Sequence, residues 1–180
     1  QILRNRYDSG FTYGEDSYNN LRIAKLINEN KALLVDDIKS YGGRPYSEEF
    51  GWPLMLSLNV NLLAKILTVI FGILSFILFY LILTKENYKI RGLASLFLIV
   101  SPSFIYLFST VNKYGLALLL SLFGLFLYLH KKKWFALIIF ISIGFVSILV
   151  SLLILLCFLL YSLIYKEKLR YFILLFLGII

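Results

Sequence analysis

The sequence predicts an all-α protein: a polytopic bundle of transmembrane helices preceded by an extracytoplasmic, helical first loop. Three observations carry that prediction. Of 180 residues, 60% are hydrophobic and 16% charged, with a mean hydropathy of +0.84, whereas soluble domains run near 45–50% apolar and about 25% charged. Long uncharged runs alternate with short basic clusters. The net charge of +8 is also unevenly divided: residues 1–52 hold seven basic and eight acidic residues, net −1, and residues 53–180 hold eleven and two, net +9. Disorder is excluded by this composition, and a single Cys with a single His excludes a disulfide framework and a Cys/His zinc site. The basic residues sit between apolar runs rather than on one patch, so no nucleic-acid partner is expected. No basic-then-apolar signal peptide opens the chain. The sequence begins at Gln1 without an initiator Met and stops inside Phe172–Ile180. The expectation is a fragment, with helices missing at one or both ends.

The first element is a helix over about residues 17–30. Leu21, Ala24 and Ile27, with Ile23 beside them, form one apolar stripe, while Arg22, Lys25 and Glu29 point elsewhere. About fifty residues with so little apolar area cannot build their own core, so this head lies on the membrane or packs against the helices. Such a stripe suits an interfacial helix. Glu15 and Asp16 stand at its start. Asp16 or Ser17 can cap the orphan N–H groups of the first turn, or Asp16 can be a catalytic or metal-binding carboxylate at the membrane boundary. Asp36 and Asp37 form either a solvated turn or a second carboxylate pair facing the same cleft. Arg44 follows Gly42–Gly43; it can bind phosphate bidentately or pair with Glu48 or Glu49.

The apolar part begins near Trp52. The uncharged runs 66–84, 92–112 and 114–129 hold nineteen, twenty-one and sixteen residues, close to the roughly 17–25 that cross a ~30 Å hydrocarbon layer. Spans are expected at about 66–84, 92–110 and 114–130. Pro102 should kink the second of these. Trp134–Tyr165 is uncharged over thirty-two residues, and as one helix it would measure roughly 48 Å, too long for a bilayer. The clusters Lys85/Lys89/Arg91, Lys131–Lys133 and Lys166/Lys168/Arg170 belong together on the cytoplasmic side, which requires two crossings within that run. A hairpin of spans 134–146 and 148–165, turning near Ser142–Ser147, satisfies this, and a truncated span 170–180 follows. Residues 1–52 then lie outside the cytoplasm, and a helix before Gln1 brings the chain across. Trp52, Tyr88, Tyr114, Trp134, Tyr165 and Tyr171 fall near the interfaces as aromatic anchors. Cys157 reads as a small apolar residue in mid-membrane. Both acids of this part, Glu86 and Glu167, sit in cytoplasmic loops, so proton relays lack their residues.

Taken together the head motifs resemble a known family. Asp16-x-Tyr18-Asn19-Asn20-x-Arg22 opens the helix, with Asp16, Tyr18, Asn20 and Arg22 as the matched positions, Asp36-Asp37-x-x-Ser40-Tyr41-Gly42-Gly43-Arg44 follows, and Trp52-Pro53-Leu54-Met55-Leu56 enters the membrane. This pattern is similar to the first external loop of GT-C glycosyltransferases, above all the oligosaccharyltransferase catalytic subunit, with the protein O-mannosyltransferases and aminoarabinose transferases as relatives. The resemblance covers the head, the entry at Trp52–Leu63 and, more loosely, the helix order through about Tyr165. It implies a membrane enzyme that takes a sugar from a polyprenyl phosphate or diphosphate and passes it to a protein, lipid or glycan. It implies Asp16 as principal acid, with Glu15, Asp36 and Asp37 as helpers, and Arg22, Arg44 and Lys113 as phosphate or acceptor contacts. A divalent cation, Mg²⁺ or Mn²⁺, would be held at Asp16. One departure stands out. The turn that carries an acidic pair in the oligosaccharyltransferase reads Val111-Asn112-Lys113-Tyr114-Gly115 here. Asn112 can ligate through its carbonyl, but Lys113 repels a cation and attracts phosphate, which fits a metal-independent or diverged transferase better. The expected location is the plasma membrane, multi-pass, in contact with bilayer lipid. The competing readings are a non-enzymatic transporter or flippase subunit and a head that serves only as a structural lid.

Overall fold

The computed structural model describes residues 15–30, 36–37, 44–45, 49–85 and 87–165. These residues are almost wholly helical. Helix α1 (Glu15–Asn30) precedes two short strands, β1 (Asp36–Asp37) and β2 (Arg44–Pro45). Then follow α2 (Gly51–Ser57), α3 (Val60–Ile82) with a 3₁₀ turn at Leu83–Lys85, α4 (Tyr88–Val100) and α5 (Pro102–Ser109). The remaining helices are α6 (Lys113–Leu129), α7 (Lys133–Val146) and α8 (Ile148–Tyr165). The strands pair antiparallel, Asp36 opposite Pro45 and Asp37 opposite Arg44.

The expected stripe of α1 is its buried face. Ile23, Ala24 and Ile27 are buried, and the helix packs on α2 and α3. Ala24 belongs to the same apolar core as Trp52, Leu56, Phe71, Ile143 and Leu155, so the head completes the bundle's core instead of forming its own. Trp52 departs from the anchor expectation. It is fully buried, and its ring centroid lies 6.0 Å from that of Phe71.

Helix α3 spans 23 residues, or roughly 34 Å, and its segment Leu62–Ile82 is long and apolar enough to cross a bilayer. Asn59 caps it by accepting the Leu62 N–H at 3.3 Å. The expected span 92–110 is not one helix: α4 and α5 meet at a 55° bend. Ser101 between them has φ −57° and ψ 123°, because a residue before proline is pushed out of the helical region. Pro102 then opens α5, where its missing N–H is no loss. Helices α6 and α7 are apolar but shorter, with 17 and 14 residues. They join through a Schellman turn: Lys132 N–H reaches Leu127 O, Lys131 N–H reaches Tyr128 O, and Lys131 takes the left-handed position at φ 62°.

Trp134–Tyr165 breaks as expected. Ser147 is extended (φ −159°, ψ 110°) between α7 and α8. The directions of the helices follow from one side chain, since Glu49 touches both the start of α6 and the start of α8. Helices α6 and α8 therefore run the same way, and α7 returns between them. The expected span 170–180, the cluster Lys166/Lys168/Arg170, the anchor Tyr171, and Gly42, Gly43, Glu48, Glu86 and Glu167 lie outside the described residues.

Candidate functional site

The ends of α6 and α8, together with the entry to α2, make the polar end of the bundle. Asn112 builds the first part. Its Oδ1 accepts the Gly115 N–H at 3.0 Å, and its Nδ2 donates to Leu107 O at 3.2 Å and to Thr110 Oγ1. One buried amide thus caps α6 and ties it to the end of α5. Ser147 opens α8, with its Oγ accepting the Val150 N–H at 3.5 Å. Gly51 then brings the head against these ends. A Cβ at that position would stand 2.6 Å from Phe145 O and 3.2 Å from Val146 Cα, so only glycine lets the start of α2 rest on the end of α7.

Glu49 links the pieces. Lys113 Nζ donates to its Oε2 at 2.7 Å, and the Ile148 N–H donates to its Oε1 at 3.1 Å. The second donor is one of the orphan N–H groups at the start of α8. Burial pushes the Glu49 carboxyl up. The hydrogen bond from Lys113, with those from the backbone N–H groups of Glu49 and Ile148 and the Lys113 charge, outweighs that push and holds the group below its ordinary 4.5.

Glu15 and Asp16 lie in the first turn of α1, where acids favour the helix dipole. Asp37 and Arg44 face each other across the β1–β2 ladder with Asp36 beside them. The side chains of these five residues lie outside the described set. On α1, Tyr18 is exposed, Asn20 is buried, and Arg22 Nη2 donates to Asn19 Oδ1 at 3.0 Å. Lys113 is engaged by Glu49, and Asn112 serves as a cap. Among the described residues no three His, Cys, Asp or Glu side chains gather as a cation set. In the α5–α6 turn the Asn112 carbonyl accepts the Gly115 N–H, and the Lys113 ammonium is held by Glu49.

Sequence reasoning overlooked Glu49, weighing it only as a partner for Arg44. Its partners lie 64 and 99 residues away, and the sole local hint is an acidic doublet just before the apolar entry. Beneath this end, α6 and α8, with Phe140 of α7, line an apolar cavity of about 480 Å³ that opens to the surface, its walls including Leu122, Leu125, Tyr128, Leu153 and Ile154. No family model, curated protein or solved structure matches the chain.

Proposed function

We propose that the protein is a polytopic membrane glycosyltransferase of GT-C type, which moves a sugar from a polyprenyl phosphate or diphosphate to a protein, lipid or glycan on the extracytoplasmic face. The observation that carries this reading is the docking of the head. Ile23, Ala24 and Ile27 on α1, Trp52 and Leu56 on α2, and the Glu49 ion pair hold the motif-bearing helix at one end of an apolar bundle. A lipid-linked sugar needs that arrangement, because its tail stays in hydrocarbon while its phosphate sits at the interface. The directions of α6, α7 and α8 agree with it too. Lys113 and the opening of α8 lie at the end where the head docks, and Lys131–Lys133 fall at the other, as the positive-inside rule requires. The apolar cavity offers room for isoprenoid units.

In this reading a carboxylate, Asp16 first, accepts the proton of an acceptor hydroxyl while its oxygen attacks the anomeric carbon. The sugar–phosphate bond breaks, its electron pair stays on the phosphate oxygen, and Arg22, Arg44 or Lys113 offsets the charge left there.

The test is transfer of a radiolabelled sugar from a polyprenyl-phosphate donor in liposomes holding the full chain. Transfer by the wild type, lost in D16N while the protein still inserts, is the expected result. Full transfer by D16N reduces Asp16 to a first-turn acid. Movement of the labelled carrier across the bilayer without transfer favours a flippase instead.

A further inference from the structure

We propose that the Lys113 ammonium and the Ile148 N–H form a phosphate site that Glu49 occupies from within the chain, and that the phosphate of the lipid carrier displaces this carboxylate. The inference rests on the glycosyltransferase reading, which supplies the phosphate.

Glu49 stands where a phosphate oxygen would. It takes a point-charge cation at 2.7 Å and a helix-start N–H at 3.1 Å, and both kinds of donor suit phosphate. The pair is accessible: the Lys113 and Glu49 side chains keep 22% and 17% of their exposure, so an anion reaches them without the bundle opening. The exchange is also local. Gly51 stays wedged on Phe145 and Val146, and Trp52 stays buried, so the carboxylate can swing away while α2 keeps its seat. Charge decides the competition. A carboxylate carries one negative charge, as does the phosphodiester of an intact polyprenyl-phosphate sugar, whereas the monoester left after transfer carries about 1.5 to 2 near neutral pH, so the carrier phosphate gains on Glu49 once its bond to the sugar has broken. Monoanions of the carboxylate type gain nothing by the same exchange. Glu49 thereby sets a threshold that the released phosphate monoester passes and singly charged anions do not.

Calorimetric titration of the purified full chain with farnesyl phosphate, farnesol and inorganic phosphate tests this. E49Q keeps the shape of the contact but removes the resident charge, and should bind farnesyl phosphate roughly two- to five-fold tighter, the fold-change of a partly exposed ion pair. K113Q should bind it at least about ten-fold more weakly, K113R should stay near the wild type, and farnesol should bind all four proteins alike. Unchanged or weaker binding by E49Q, or unchanged binding by K113Q, makes the contact a structural tie only. In that case a wild-type preference for farnesyl phosphate over farnesol still supports a lipid-phosphate enzyme. A wild type that does not distinguish the two overturns both readings. Equal affinity for inorganic phosphate and farnesyl phosphate overturns the assignment to the carrier.

Discussion

Replacing Gly51 by Ala should unseat the head, and the structure sets the scale. The added Cβ would lie 2.6 Å from Phe145 O, 3.0 Å from Phe145 C and 3.2 Å from Val146 Cα. Ordinary contact between such atoms begins near ~3.4 Å, so α2 must retreat from α7 by roughly 0.8 Å, and the obstructing atoms are backbone, which cannot rotate aside. Overpacking of this kind costs about 1–3 kcal/mol. For a chain of this size that corresponds to a Tm roughly 2–12 °C lower. The same retreat stretches the Lys113–Glu49 contact of 2.7 Å towards ~3.5 Å, beyond good hydrogen-bond range. Gly92 provides the control, because a Cβ there meets nothing within 4 Å. Gly92→Ala should hold or raise the Tm, since alanine is better in a helix by up to about 1 kcal/mol. Thermal unfolding of the two variants in detergent therefore yields opposite signs from one chemical change. A G51A protein that melts at or above the wild type would refute the close docking of α2 on α7.

Three further outcomes follow from the same contacts. Asn112→Ala should lower stability by about 0.5–2 kcal/mol through loss of the α6 cap, and Asn112→Ser should recover most of it; equal melting of both variants would show that the cap contributes little. Glu49 binds its proton more weakly in the folded chain than in the unfolded one. Its contribution is therefore complete above about pH 4.5 and fades as the pH falls through the lower folded value. Wild type should then melt above E49Q at pH 7 by the equivalent of about 0.2–1 kcal/mol, with the gap closing on acidification; a gap that widens in acid contradicts the assigned sign. Lys131→Gly should stabilise the α6–α7 turn by up to about 1 kcal/mol, because glycine takes the left-handed position without a Cβ penalty, and a lower Tm for that variant would place the turn's cost elsewhere.

Local pattern was enough for much of this protein. The stripe Leu21–Ala24–Ile27 located α1 and its buried face, Pro102 marked the bend between α4 and α5, and the spacing of basic clusters split Trp134–Tyr165 at Ser147. Each of these depends on residues within one or two helical turns, or on charge counted between runs, so each can be read along the chain. The polar end of the bundle could not be read that way. Trp52 looked like an interface anchor because aromatic position alone does not say which face a neighbouring helix covers. Lys113 read only as a phosphate or acceptor contact, because the carboxylate that meets it is 64 residues upstream in the chain. Gly51 carried no signal, since what it excludes is a backbone oxygen nearly a hundred residues later. Contacts of that separation arise only when helices pack, and they settle which charges are paired and which glycine the docked head requires.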